Sequence, residues 1–94
     1  MAIYAVQYLY AEEPQIMDGL RADHRAYLRD LIDSGQLLAS GPLPDRNAAL
    51  LIFKADGPEV VAGLLDQDPF EIAGYVGERI IEQWNPILGM LAEA

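Results

Sequence analysis

The hydrophobic positions of the chain follow two different periods, one typical of strands and one typical of helices. Short stretches rich in β-branched and aromatic residues, each bounded by turn residues, predict strands at 3–10, 36–43, 48–55 and 78–84. Apolar residues that recur every three or four positions predict helices at 14–34 and about 57–66, with a short helical turn at 71–75. The tail from Ile87 onward is predicted as a short helix or a strand extension.

Turn and capping residues indicate where the two long helices begin and end. Pro14 suits the first turn of a helix because its missing N–H would have no intrahelical partner there. Gly35 stands in the usual position for the end of that helix. Asp56 is predicted as the N-cap of the second helix, with Glu59 three residues later in position for a capping box.

One side of the first predicted helix is apolar and includes the chain's only histidine. At helical spacing, this apolar stripe consists of Ile16, Met17, Leu20, His24, Tyr27, Leu28 and Leu31. Three charged residues, Arg25, Arg29 and Asp33, are predicted on the solvated side of the same helix.

The order of predicted elements is β-α-β-β-α-β, which indicates a ferredoxin-like α+β fold with both helices on one face of an antiparallel sheet. The strands, however, are apolar on both faces, as Leu50 and Leu51 illustrate in the third strand. Because two helices cover only one face, we expect a second copy of the sheet to cover the other, giving a homodimer or a higher oligomer. The tyrosines of the first strand are interpreted as packing at that interface or at a cavity wall, with an aromatic substrate cavity as the alternative: Tyr4, Tyr8 and Tyr10.

Composition narrows the class of protein. With 94 residues, of which 52% are hydrophobic, the chain is predicted to form one domain spanning 1–94. Its net charge of −9 argues against binding to nucleic acid or to an anionic membrane. The lack of cysteine excludes disulfide scaffolds and thiolate chemistry. No leader-like or membrane-spanning stretch is recognised, so a soluble cytoplasmic protein is expected.

Two residues far apart in the chain are the candidates for catalysis. Imidazole suits proton exchange near neutral pH, and His24 is the only one present. Asp68 precedes Pro69, and the proline stiffens the backbone at the aspartate. If the carboxylate of Asp68 bonds one ring nitrogen of His24, the other ring nitrogen stays free to act as base or acid. The alternatives are a hydrogen-bonded core histidine and an Asp-Pro turn whose side chain binds backbone N–H groups. Asp66 is a competing carboxylate.

Weaker candidates surround this pair. Arg21 lies one turn before the histidine, and Ser40-Gly41-Pro42 lies near the end of the second strand, where glycine permits close approach of a ligand. We predict substrate contact for Arg21, Ser40, Gly41 and Pro42, although a strand-ending turn explains the last three equally well. No metal-ligand spacing and no phosphate-binding glycine pattern is present, so neither a metal nor a cofactor is predicted.

The ordered combination of these motifs resembles the YciI-like (YCII-related) family over nearly the whole chain: Arg21-x-x-His24, Gly35, Gly41-Pro42-Leu43 and Asp68-Pro69-Phe70. The resemblance implies a ferredoxin-like dimeric α+β barrel, and it maps the family's His–Asp dyad onto His24 and Asp68. Because some members act in the breakdown of substituted aromatic compounds, it further implies acid–base elimination or isomerisation of a small cyclic or aromatic metabolite. The alternatives are a ligand-binding or accessory module without chemistry and a cofactor-free monooxygenase of the same architecture.

Overall fold

Four antiparallel strands form one sheet whose inner face is covered by helices. The computed structural model describes residues 1–94, and the elements in chain order are β1 (Ala2–Tyr10), α1 (Pro14–Asp33), β2 (Leu37–Leu43), β3 (Ala48–Ala55), α2 (Pro58–Asp66), α3 (Pro69–Ile72), β4 (Val76–Trp84) and a 3₁₀ helix (Met90–Glu93). The strands are arranged in the order β2-β3-β1-β4. This arrangement confirms the predicted ferredoxin-like α+β fold.

The register between β1 and β3 separates the two faces of the sheet. Tyr8 lies opposite Ala49 on the inner face, whereas Gln7 lies opposite Leu50 on the outer face. The inner face and the helices enclose a buried cluster of Tyr4, Val6, Tyr8, Leu28, Leu31, Leu37, Ala49, Leu51, Phe53, Ala55, Val61 and Leu65. The strand positions that face the helices are therefore apolar because they form the core. Three of them belong to β1, which is a central strand of the sheet: Tyr4, Val6 and Tyr8.

The outer face carries exposed apolar side chains beside buried ones such as Ile3 and Ile52. Leu50 and Trp84 are 37% and 42% exposed there, and they border a shallow depression of about 250 Å³. Three residues of the tail are also apolar and largely exposed: Ile87, Leu88 and Met90. Both faces of the strands are therefore apolar, and part of the outer face is exposed to solvent in a single chain.

Several element boundaries differ from the sequence prediction. The prediction of Asp56 as the N-cap of α2 is wrong: the cap is Gly57, and no side chain caps this helix. The carbonyl of Gly57 accepts the first helical hydrogen bonds, so the helix starts one residue later than expected. β4 begins at Val76 rather than at residue 78, which extends the sheet by two residues.

The remaining boundaries change the picture little. The 3₁₀ helix at Met90–Glu93 confirms the helical alternative for the tail. The predicted helical turn forms as α3, which starts directly after Asp68 instead of at residue 71. None of the helices has the length and hydropathy that crossing a membrane requires.

Candidate active site

His24 and Asp68 meet although 44 positions separate them in the chain. His24 lies on the face of α1 that packs toward the sheet, and it is only 8% exposed. Its ring nitrogen Nδ1 is 2.8 Å from Oδ1 and 3.0 Å from Oδ2 of Asp68. The contact that the sequence left open is therefore present, and Asp68 rather than Asp66 is the partner.

Asp68 is held in place by local turn chemistry as well as by the histidine. It is the N-cap of α3, with an extended backbone before Pro69, and its Oδ1 accepts the N–H of Phe70 at 3.0 Å. The Asp-Pro turn and the pairing with His24 are thus two functions of one carboxylate. The competing carboxylate of Asp66 bonds Arg79 at 2.8 Å and is more than half exposed.

A third side chain completes the environment of Asp68. The hydroxyl of Tyr8 donates to Oδ2 at 2.9 Å from the inner face of β1. Burial raises the pKa of Tyr8 above its ordinary value of 10.0, and the negative charge of Asp68 raises it further. The phenol therefore keeps its proton and remains a hydrogen-bond donor. This role was not predicted, because a tyrosine stripe in a strand resembles ordinary packing. The available signal was that a buried tyrosine hydroxyl needs a hydrogen-bond partner.

These bonds determine which nitrogen of His24 carries the proton in the neutral ring. Asp68 accepts hydrogen bonds from Tyr8 and from the backbone of Phe70, as an ionised carboxylate does. Nδ1 must therefore donate, which leaves Nε2 with a free lone pair. Every buried side-chain nitrogen and oxygen has a partner and Nε2 has none, so Nε2 reaches solvent. The ring is thus bonded on its inner side and open on its outer side.

Aromatic contacts hold the imidazole plane. The rings of His24 and Phe70 are stacked with their centroids 3.9 Å apart and their planes 5° from parallel. Phe70 is fully buried and also contacts Tyr10 edge-on, with centroids 5.8 Å apart. The guanidinium carbon of Arg21 lies 5.8 Å from the Phe70 ring centroid. Because Phe70 follows the Asp68-Pro69 cap, one short segment both binds and orients the histidine.

The open side of His24 faces a cavity of about 370 Å³ between α1 and the edge strand β2. All the predicted contact residues line it together with the histidine: Arg21, Ser40, Gly41 and Pro42. Ser40 and Pro42 pair with Leu51 and Ala49, which places them on the inner face of the sheet, toward α1. The edge position of β2 explains how a strand accommodates Pro42. Asp68 lies behind the imidazole and is fully buried.

Six residues that line the cavity were not predicted as site residues, and three of them are polar: Tyr10, Arg25 and Arg29. Arg25 and Arg29 are exposed, as the predicted solvated side requires, and both also line the cavity. Residues four apart on a helix share one row, so Arg21, Arg25 and Arg29 form a row along the cavity. Tyr10 also lines the cavity, and burial with the charge of Asp68 raises its pKa to about 12. That spacing of arginines was visible in the sequence.

The site contains no arrangement suited to a metal ion. No group of three or more histidine, aspartate or glutamate side chains is clustered anywhere in the fold. The chemistry available from the residues present is proton transfer at Nε2 of His24, with a buried carboxylate to stabilise the imidazolium.

Fold and site together define a small α+β protein with a histidine–carboxylate pair at the wall of a cavity. Residues 2–85 match the family model of the YCII-related domain, and the chain belongs to that family. Comparison with curated protein sequences gives no match.

Among solved structures, the chain is similar to 5-chloro-2-hydroxyhydroquinone dehydrochlorinase (TftG) from Burkholderia phenoliruptrix AC1100, in complex with 2,5-dihydroxybenzoquinone. The TM-score is 0.73 at 24% sequence identity, over 87% of this chain and 92% of that one. At this identity the likeness establishes the fold.

Proposed function

We propose that this protein is an enzyme that catalyses elimination or isomerisation of a small cyclic or aromatic metabolite, with His24 as the general base. The observation that carries the proposal is the asymmetry of the imidazole: Nδ1 is bonded to Asp68 at 2.8 Å, whereas Nε2 is unbonded and the side chain lines a cavity. A base needs a free lone pair beside the space that substrate occupies.

In the proposed reaction, Nε2 of His24 takes one proton from the substrate. The electron pair of the broken bond forms a double bond in the ring, and a leaving group departs with its own bonding pair. In an isomerisation, the imidazolium returns the proton to another atom instead. Asp68 stabilises the imidazolium and keeps the ring oriented, since its carboxylate stays bonded to Nδ1 throughout.

The known relative supports the reaction type without fixing the substrate. TftG is a dehydrochlorinase of 5-chloro-2-hydroxyhydroquinone and shares the fold over most of both chains. A dehydrochlorination removes a proton and a chloride, which is a reaction that one positioned base can promote. The cavity here, about 370 Å³ in volume, is of the size that small-molecule sites usually have.

The test is a turnover assay with chlorinated hydroquinones and small lactones, following chloride release and ultraviolet absorbance. We expect at least one compound to be converted, and we expect His24→Gln to lower its rate on the order of 10²-fold to 10⁴-fold. Asp68→Asn is expected to be slow as well, since an amide does not stabilise the imidazolium. Conversion at an equal rate by folded His24→Gln would reject the proposed base.

A non-catalytic ligand-binding or accessory module is the second candidate, because the same cavity and histidine suit hydrogen bonding without chemistry. It predicts compounds that raise the melting temperature of the protein and are recovered unchanged. Stabilisation by several panel members without conversion of any would favour this module over the enzyme.

We also propose a homodimer in which two sheets face each other through their outer faces. The exposed apolar residues Leu50 and Trp84 on that face, together with the apolar tail, support it. Leu50→Glu is expected to give monomers in light scattering. Val60→Glu is the matched control, since Val60 is similarly exposed, at 40%, but lies on α2. A wild-type protein that is monomeric at micromolar concentration would overturn the proposal.

A further inference from the structure

The charge around the cavity is opposite to that of the whole molecule. The chain has a net charge of −9 and only six basic residues, yet three of the six line this one cavity: Arg21, Arg25 and Arg29. No aspartate or glutamate is among the residues that line it. The walls of the cavity are therefore positive within a strongly acidic protein.

Two of these arginines have no partner within the chain. Of the three arginines at the cavity, Arg21 is paired, since its Nε lies 2.9 Å from Asp18. Arg79, which does not line the cavity, is paired with two carboxylates. Arg25 and Arg29 take part in no ion pair.

Helix geometry places this charge close to the proposed base. The rise of an α-helix separates the Cα atoms of His24 and Arg29 by about 7.5 Å along the axis, with Arg25 between them. Arg25 and Arg29 also line the same cavity as His24, so a small ring compound bound there can contact the imidazole and both guanidinium groups. Guanidinium binds carboxylate and phenolate oxygens through charge-assisted hydrogen bonds.

We propose that the cavity selects an organic anion: a small ring compound whose carboxylate or acidic hydroxyl is ionised at neutral pH and is held by Arg25 and Arg29. The inference rests on the proposed function in that it names the substrate class of the same site. Positive charge at the cavity wall would also stabilise the negative charge that develops on such a ring when Nε2 removes a proton. Selection by charge admits an anion and disfavours its neutral analogue of equal size.

Benzoate and benzamide form a matched pair of probes, since they share ring and size and differ in charge. Titrations followed by ¹H–¹⁵N NMR are expected to show benzoate shifting the resonances of residues around the cavity, with benzamide causing little change. The double variant Arg25→Gln/Arg29→Gln is expected to weaken benzoate binding by about tenfold. Gln15→Glu/Asn85→Asp controls for the same change of two charges: both residues are exposed, neither lines the cavity, and we expect an unchanged affinity.

The inference is overturned if benzamide binds as well as benzoate, if neither binds, or if the double variant binds benzoate as wild type does. Its failure is distinguishable from failure of the proposed chemistry. His24→Gln is expected to retain benzoate binding, because the guanidinium groups remain, while it loses turnover. If benzoate binds selectively but turnover does not depend on His24, the anion site is upheld and the proposed base is rejected. If turnover depends on His24 but benzoate is not selected over benzamide, the base is upheld and the anion site is rejected.

Discussion

Replacing Tyr8 by phenylalanine removes one hydroxyl from beneath the candidate active site and leaves the ring in the core. The hydroxyl is one of three groups that donate to the fully buried carboxylate of Asp68, at 2.9 Å from Oδ2. The others are the imidazole of His24 and the backbone N–H of Phe70. The substitution therefore weakens the hold on Asp68 without creating a cavity larger than one oxygen atom.

A hydrogen bond to a buried charged group contributes roughly 1.5–3 kcal/mol. Because Asp68 keeps two other donors, we expect the lower end, about 1.5 kcal/mol, for Tyr8→Phe. For a domain of this size that corresponds to a fall in melting temperature of roughly 6–12 °C. Tyr75→Phe is the matched control: Tyr75 also contacts Phe70, and its hydroxyl makes no hydrogen bond, so a change below about 0.5 kcal/mol is expected.

The loss has a characteristic dependence on pH. The fold raises the pKa of Tyr8 above 10.0, so this tyrosine stabilises the fold fully below pH 10, and the contribution falls as pH rises further. Each pH unit in that range removes up to about 1.4 kcal/mol of wild-type stability, because the unfolded chain releases a proton that the folded chain retains. Tyr8→Phe lacks this term, so wild type and variant converge in stability above about pH 10.

Urea denaturation of wild type, Tyr8→Phe and Tyr75→Phe at neutral and alkaline pH measures both effects. Tyr10, whose pKa is raised to about 12, contributes an alkaline loss to all three proteins and so cancels in the comparison. Equal stability of Tyr8→Phe and wild type at neutral pH, or a constant difference between them on going to alkaline pH, would refute the reasoning.

Two further predictions concern the frame of the site. Gly35 follows the end of α1 with a φ of +81°, so Gly35→Ala is expected to lower the free energy of unfolding by about 1 kcal/mol. Gly19 lies inside α1 with open space around it, so Gly19→Ala should raise the free energy of unfolding by roughly 0.5–1 kcal/mol. Equal melting temperatures for the two variants would contradict this. Arg79 joins β4 to the end of α2 and to α3 through two carboxylates, so Arg79→Met is expected to cost about 1–2 kcal/mol in urea denaturation, and Arg46→Met, at an exposed bond, much less. A larger loss for Arg46→Met would count against this bracing role.

Most of the architecture could be predicted because hydrophobic period and turn residues act locally. The β-branched and aromatic residues of β1 and the helical spacing around His24 identified the elements and the order in which they occur. The prediction of Asp56 as N-cap was wrong because residue type and spacing alone do not determine where a helix begins. In the structure Gly57, with an extended backbone, is the N-cap residue.

The site could be predicted only in part, because its parts come from distant segments. His24 and Asp68 were recognisable as chemistry-bearing residues, but their contact depends on the packing of α1 against α3. The role of Tyr8 needed the inner face of β1 to be known. The row of Arg25 and Arg29 faces the edge strand β2, and a helical wheel does not show which neighbour lies beside a polar face.

The protonation of the His24 ring nitrogens tests the central claim most directly. With a single histidine in the chain, ¹⁵N NMR of the imidazole reports this site alone. In the neutral ring, the account predicts a proton on Nδ1, donated to Asp68, and an unprotonated Nε2 that shifts when benzoate enters the cavity. A neutral ring with its proton on Nε2, or an Nδ1 proton retained unchanged in Asp68→Ala, would contradict it.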